Sequence, residues 1–545
     1  MKPILAGKTI LIVEDYPAMR KAMRDMLYIL DADNIIEAEN GVNAINLMAK
    51  HNFDIVLCDY NLGNGKNGQQ VLEEARLRKL IGHHCIFIIV AAEQSTALVL
   101  GAMDAKPDEY LTKPFNAQQL FTRIERNLTR RQLMREVENE IEHGNLSQAI
   151  QNCDQLLAAD DKKLRTPLLK KKAELATLVE DFSTGKAIYQ QILLERDLPW
   201  ARLGLGIVEY RQGNLDNAIG IFEALIKEHP MFLEGYDWLS TTYETQDRQQ
   251  DMQDVLNQAV VLSPHSILRQ KKLAQAADNN GNFEVAEKAY KAVMALGKHS
   301  VHKDCADFSR LAKLYTKAGD AVQAQAALKA LRKEYPNSIE AELRATSLEF
   351  ELCKKTGDTE SANQYFQKTL VLQQALGNQT PKDLQLDIVR DCFLQNQSAQ
   401  AEAILNGLIK SNIDDEFFLN DIRRMQTEIG LENHAEALIQ TTQKELVAIN
   451  NQGVQLFRQG KFQEAMALFE QAMSVMPNNK TIIINMLRIT LHELRTQSDS
   501  RPEKFSRAQA LFKQARQLGI ERQKLGNLQM EFSTLLRKHK PGALE

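Results

Sequence analysis

Asp54-Ile55-Val56-Leu57-Cys58-Asp59 sets four apolar residues between two carboxylates. A run this short, rich in branched residues and bounded by polar ones, suits a strand buried on both faces of a sheet. Working outward from Asp54 to Cys58, runs of the same kind lie at Thr9 to Val13, Ile35 to Ala38, Cys85 to Val90 and Glu109 to Leu111, with helical patterns between them. Five strands alternating with helices predict a doubly wound parallel sheet over residues 1 to 128. The ligands of such a sheet bind in the crevice outside the carboxyl ends of its strands.

The residues at those ends are chemically pointed. Glu14 and Asp15 follow the first strand, Asp59 the third, and Lys113-Pro114 the fifth. Three converging carboxylates repel one another and lose solvation, so they suit a hard divalent cation such as magnesium. A lysine opposite a metal-bound carboxylate suits an incoming phosphoryl group, whose oxygens both cations neutralise, and Asp59 is then the nucleophile. The bland alternative has Glu14 and Asp15 capping the following helix. It leaves Asp59 and Lys113 unexplained.

Together, Ile12-Val13-Glu14-Asp15, Asp54 to Asp59 and Tyr110-Leu111-Thr112-Lys113-Pro114-Phe115 resemble the receiver domain of bacterial two-component response regulators. The resemblance covers about 125 residues and implies an α/β, flavodoxin-like fold for them. It implies that Asp59 accepts phosphate from a histidine kinase or phosphotransfer protein. It further implies that Glu14, Asp15, Asp59 and the backbone carbonyl of Asn61 hold Mg2+, that Lys113 contacts the phosphoryl oxygens, that Lys113-Pro114 is cis, and that Tyr110 is the aromatic switch. Two departures stand out. Ala91, in Val90-Ala91-Ala92-Glu93, replaces the usual threonine or serine, removing a hydrogen bond to a charged group that contributes roughly 1.5 to 3 kcal/mol. The loop from Asn61 to Gly68 is one residue longer than usual, with Gly63 where proline is common, and is expected to be more mobile.

Beyond residue 128 the period changes. Gly460-x-Phe462-x2-Ala465-x3-Phe469-x7-Pro477 has the spacing of Gly213, Leu215, Ala218, Phe222 and Pro230. Gly319, Ala324, Leu328 and Pro336 repeat it, and Gly281, Phe283, Ala286 and Tyr290 carry its first part. Tyr236, Leu239, Ser240 and Tyr243, then Phe308, Leu311, Ala312 and Tyr315, mark a preceding helix. The turn position recurs at 144, 180, 213, 247, 281, 319, 357, 396, 430, 460 and 503. This resembles the tetratricopeptide repeat (TPR), a helix, turn and helix of roughly 34 residues. About eleven repeats are expected over residues 129 to 519, with a capping helix and tail over 520 to 545 and a polar insertion from Arg495 to Lys504. Such hairpins bury their apolar faces only by stacking, so an all-α superhelix is expected, with a concave surface of first helices that takes a protein or peptide partner.

Composition narrows the function. Apolar residues at 44% and charged residues at 25% supply a core. A formal charge of −4 sets up no general attraction to nucleic acid or anionic lipid. The longest apolar run, Cys85 to Ala92, is far short of a membrane span, and Glu14 and Asp15 interrupt what could pass for a signal peptide, so a cytoplasmic location is expected. The six cysteines (Cys58, Cys85, Cys153, Cys305, Cys353, Cys392) form no Cys-x-x-Cys pair and are expected to be reduced and mostly buried. Trp200 and Trp238 read as packing residues, Lys170 to Lys172 as a solvated helix face, and His83 and His84 as loop residues. His299, His302 and Cys305 have metal-ligand types without an evident fourth ligand. From Asn116 to His143 no proline, glycine or serine interrupts the chain, which predicts a stiff helix of roughly 42 Å joining receiver and repeats.

The sequence therefore points to a response regulator that signals through protein contacts of its repeats rather than DNA binding. It shows no nucleophile triad, Walker motif or dinucleotide loop, so no enzymatic activity is expected apart from acceptance and loss of phosphate at Asp59. The alternatives are a phosphorylation-independent TPR scaffold and a regulator that inhibits a histidine kinase or drains its phosphate.

Overall fold

The computed structural model describes residues 4–92, 96–159, 162–496, 501–518, 520 and 522–539. Five parallel strands, β1 (Thr9–Val13), β2 (Asn34–Ala38), β3 (Ile55–Asp59), β4 (Ile86–Ala91) and β5 (Glu109–Thr112), lie in the order β2-β1-β3-β4-β5. Between and after them run α1 (Pro17–Ile29), α2 (Gly41–Met48), α3 (Gly68–Leu77), α4 (Thr96–Asp104) and α5 (Ala117–Glu142). Leu11, Val13, Val56, Cys58, Phe87 and Ile89 fill one face of the sheet. Their neighbours Ile10, Ile12, Ile55, Leu57, Ile86, Ile88 and Val90 fill the other. The two-residue alternation explains why near-continuous apolar runs were needed.

The observed strands differ from the expected ones by a residue or so. Asp59, expected just past the third strand, is its last residue, in register with Val90. The reason is the parallel ladder, which continues as Tyr60 N–H donates to the Val90 carbonyl at 2.7 Å. The strand order turns back between β1 and β3, and Glu14, Asp15 and Asp59 stand at that switch point. The helix joining receiver to repeats is 26 residues long. Glu109 on β5 is buried and accepts hydrogen bonds from Arg123, Arg126 and Asn127, pinning the first half of α5 to the sheet.

The remainder is helical. It comprises α6 (Leu146–Ala158), α7 (Lys162–Leu178), α8 (Phe182–Glu195), α9 (Pro199–Arg211), α10 (Leu215–Glu228), α11 (Leu233–Thr245), α12 (Gln249–Leu262), α13 (Ile267–Asn279), α14 (Phe283–Gly297), α15 (Cys305–Lys317) and α16 (Ala321–Glu334). Next come α17 (Ile339–Thr356), α18 (Thr359–Leu376), α19 (Lys382–Leu394), α20 (Ser398–Ser411), α21 (Glu416–Glu428), α22 (Glu432–Arg458), α23 (Phe462–Val475), α24 (Lys480–Thr496), α25 (Arg501–Gln517) and α26 (Arg522–His539). The chain forms two compact units, one of residues 1–142 and 147–327, the other of 143–146 and 328–545. Among the described residues no helix is long and apolar enough to cross a membrane.

Ten of the eleven expected turn positions, from Gly144 to Gly460, have left-handed backbone, φ between 56° and 81°. Helices commonly end this way, and glycine is the usual occupant because it lacks the Cβ that clashes there. The second helices show the matching economy of space: Ala218, Ala286, Ala324 and Ala465 are fully buried beside Phe222, Tyr290, Leu328 and Phe469. The eleventh position is corrected. Residue 503 lies inside α25, because Pro502, with no N–H to lose and a fixed φ, suits a helix's first turn. The expected insertion falls partly on 497–500, and the expected tail partly on 540–545, both outside the described residues. Between Gly430 and Gly460 the chain makes one 27-residue helix, α22, which packs against α20 and α21 on one side and α23 and α24 on the other.

Candidate functional site

The carboxyl ends of β1, β3 and β5 bring together the residues that the sequence singled out there. Glu14 is buried; its Oε1 accepts from the Tyr16 N–H at 3.2 Å and its carbonyl from Arg20 at 2.6 Å. Lys113 Nζ bridges Glu14 Oε2 at 2.8 Å and Asp59 Oδ1 at 2.9 Å. Asp15 is exposed, and carboxylate oxygens of Glu14, Asp15 and Asp59 all lie within 4.8 Å of one another. The helix-capping alternative finds little here: the N-cap of α1 is Tyr16, with no side-chain cap bond.

Burial pushes the Asp59 carboxyl up to about 6; the charges of Glu14 and Asp15 push the same way, while Lys113 opposes them. Burial also works against the Lys113 ammonium, but its bonds to Glu14 and Asp59 prevail and hold it above its ordinary range. Three carboxylates against one ammonium leave an excess of negative charge in a half-closed crevice. That donor set, all oxygen and overcharged, fits a hard divalent cation.

The peptide Lys113-Pro114 is cis. Lys113 N–H donates to the Ala91 carbonyl at 2.8 Å, so β4 reaches the site by its backbone, and the buried Ala91 side chain brings no hydroxyl. Glu93 lies outside the described residues. Tyr110 is half-buried against one of the sheet's two cores. Asn61 is exposed in the loop after Asp59, and its Oδ1 accepts from Gly63 N–H at 3.3 Å. Gly63 has φ 69°, and a Cβ there would lie 3.0 Å from Asp15 Oδ2, so the loop folds back over that carboxylate.

Sequence reasoning missed Gly68. A Cβ on it would lie 2.4 Å from the Asp59 carbonyl oxygen, and its N–H donates to the Tyr60 carbonyl at 2.9 Å. The beginning of α3 is therefore pressed against the end of β3. A glycine directly before a helical pattern was the available signal. Arg20, which reaches back to the Glu14 carbonyl from the next helix, carried no such mark.

The residues singled out in the repeats fare differently. Trp200 meets Tyr189 edge to face, and Trp238 stacks on Phe222 with its edge toward Tyr210, although both indoles stay half-exposed. Lys170, Lys171 and Lys172 lie in ion pairs with Glu174, Glu138 and Asp154. His299, His302 and Cys305 do not assemble into a mutually close ligand set among the described residues. Asp197, Glu228 and His229 do cluster, but Arg202 already donates to both carboxylates. Of the six cysteines, five are buried and Cys353 is partly so; none is in a disulfide. His83 stands 3.9 Å from Glu142, and both are well exposed.

Comparison with known proteins agrees with this division. Residues 10–125 match the response regulator receiver domain, and residues 200–230, 308–338 and 446–476 match tetratricopeptide repeat families. The chain is 32% identical over 117 residues to the chemotaxis protein CheY of Pseudomonas aeruginosa, covering 93% of that protein and 22% of this one. A solved CheY-like receiver domain from Methanospirillum hungatei is 24% identical, covers 23% of this chain and 96% of its own, and has a TM-score of 0.21. The C-terminal part of a TPR repeat-containing protein from Cytophaga hutchinsonii is 12% identical, covers 46% of this chain and 97% of its own, and has a TM-score of 0.37.

Proposed function

Because the chain belongs to the response regulator receiver family and carries tetratricopeptide repeats behind that domain, we propose that it takes a phosphoryl group on Asp59 and signals through proteins bound to its repeats. The donor is a histidine kinase or phosphotransfer protein. The observation that carries this reading is the Lys113 bridge between Asp59 and Glu14, because it holds the acceptor carboxylate at the crevice mouth with a cation already in contact. In the transfer, Asp59 Oδ forms a bond to phosphorus as the phosphorus–nitrogen bond of phosphohistidine breaks. The departing imidazole keeps the electron pair and takes up a proton.

Glu14, Asp15, Asp59 and the Asn61 carbonyl would hold Mg2+, which when bound neutralises phosphoryl oxygens. Lys113 would bring a second positive charge to those oxygens, at the cost of its bond to Asp59. Arg20 and the Tyr16 N–H keep Glu14 fixed while that exchange occurs. Tyr110 is the aromatic residue of the switch, and Ala91 leaves one oxygen of the phosphoryl group without a hydroxyl partner. Transfer and loss of the phosphoryl group are the only chemistry in this reading.

Incubating the full chain with magnesium and acetyl phosphate tests it. Mass spectrometry should find a phosphoryl group on Asp59 in the wild type and none on Asp59→Asn. An unlabelled wild type would overturn the proposal and leave a phosphate-independent scaffold.

A further inference from the structure

Both segments that leave the sheet beside Asp59 end on the repeats of the first compact unit. After β4 the chain continues into α4, whose last residue, Asp104, accepts from Arg269 on α13 through Nη1 at 2.5 Å and Nη2 at 3.0 Å. Ser263 Oγ also donates to Asp104, at 2.9 Å. The same guanidinium donates to Asp237 on α11, through Nε at 2.8 Å and Nη2 at 2.7 Å. Arg269 is only 6% exposed, so this is a desolvated clamp of two carboxylates on one forked cation.

After β3 the chain runs through the acceptor loop into α3. Lys66 Nζ donates to the His299 carbonyl at 2.6 Å, and Gln70 Nε2 to the Leu296 carbonyl at 3.2 Å. Leu296 lies in the last turn of α14, where helix carbonyls have no partner within the helix and attract donors. Lys106 adds an outer ion pair to Glu234. Beside the clamp is a cavity of about 1080 Å³, with Leu100 and Met103 of α4 on one wall and Trp200, Leu203, Met231 and Trp238 of the repeats on the other.

We infer that the first-helix surface of these repeats is a binding site whose occupant is the chain's own receiver, anchored by Asp104–Arg269–Asp237, and that phosphoryl transfer to Asp59 releases it. The second clause rests on the proposed function; the first does not. The coupling is mechanical. Gly68 touches the Asp59 carbonyl, so displacement at the end of β3 is passed to Lys66 and Gln70. Tyr60 N–H holds Val90, so it is also passed to β4 and the α4 that follows. A phosphoryl group adds bulk and charge at the end of β3, and both α3 and α4 carry contacts to the repeats. The docked form is favoured while Asp59 is bare and disfavoured once it is loaded. Release frees the wall of Trp200 and Trp238 for another protein.

Hydrogen exchange read by mass spectrometry on the full chain tests both clauses. Asp104→Arg sets like charges against each other and leaves Arg269 its second partner, Asp237, so the repeats keep their fold. It should speed exchange in residues 98–106, 263–272 and 296–302 by roughly tenfold, with no phosphate donor present. Unchanged exchange in Asp104→Arg would overturn the docking site. Acetyl phosphate with magnesium should produce the same pattern in the wild type and have no effect on Asp59→Asn. If Asp59 is shown to carry the group and exchange does not change, release is wrong while the proposed function stands. If Asp59 carries none, that function fails and release with it, and Asp104→Arg alone still decides the docking. Circular dichroism of Asp104→Arg, expected to equal that of the wild type, separates undocking from unfolding.

Discussion

In the receiver, a sheet buried on both faces gathers Glu14, Asp15, Asp59 and Lys113 at the carboxyl ends of its strands, while Asp54 and Glu109 are paired with cations toward the opposite ends. In the repeats, charge is scattered along helices and mostly paired where it stands, as with Lys172 and Asp154 or Arg332 and Glu349. The difference follows from how each is built. Parallel strands run out together, so residues far apart in sequence meet at one edge and a few side chains can make a reactive site. Stacked hairpins meet mainly their neighbours and present a broad surface rather than a single edge where side chains converge.

Substitutions should respect that contrast. The largest effect is at Asp59: Asp59→Asn abolishes phosphoryl labelling altogether while leaving the repeats folded, as the labelling experiment above reads. Its stability consequence is next. The Asp59 carboxyl titrates near 6, above its unfolded value, so the folded chain holds that proton more tightly. Its contribution to stability is complete below pH 4 and is lost as pH rises through about 6; from the shift it is about 3 kcal/mol. In chelator, Asp59→Asn should therefore unfold at higher urea than wild type at pH 7.5, and the gap should close by pH 4. A constant gap across that range would mean that the carboxylate is not strained by its neighbours.

In the repeats the sensitive positions are sites of packing. A Cβ on Gly206 of α9 would lie 2.3 Å from the ring of Phe222, which is fully buried. Gly206→Ala should cost about 2 kcal/mol in urea unfolding, because overpacking outweighs the gain in helix propensity. Phosphoryl labelling of Asp59 should be unaffected. The smallest effect is at a turn. Glu180 has φ 58° where most of its counterparts are glycine, so Glu180→Gly should stabilise by up to about 1 kcal/mol. A loss of stability would show that the Glu180 side chain matters more than its backbone.

Much of this is legible in the sequence. The five strands were visible because burial on both faces demands unbroken apolar runs, and Asp59 and Lys113 stood out because charge at the end of such a run is unusual. The repeats were visible through glycine at the turns and alanine at close approaches, two positions where backbone geometry tolerates few residues. The eleventh turn was misplaced because a polar stretch containing Pro502 satisfies both a turn and a helix start. Gly68 went unremarked, since its constraint comes from the Asp59 carbonyl rather than from its neighbours in sequence.

The amino-acid sequence alone determined the two architectures and marked Asp59 as the candidate acceptor, because both depend on local pattern: strand and helix periods, turn residues, and charge at strand ends. Only the tertiary structure decided that Asp104, Arg269 and Asp237 meet. Each of the three is unremarkable in its own segment, and a buried ion pair between residues 165 positions apart is created by how elements pack, which no short stretch of sequence encodes.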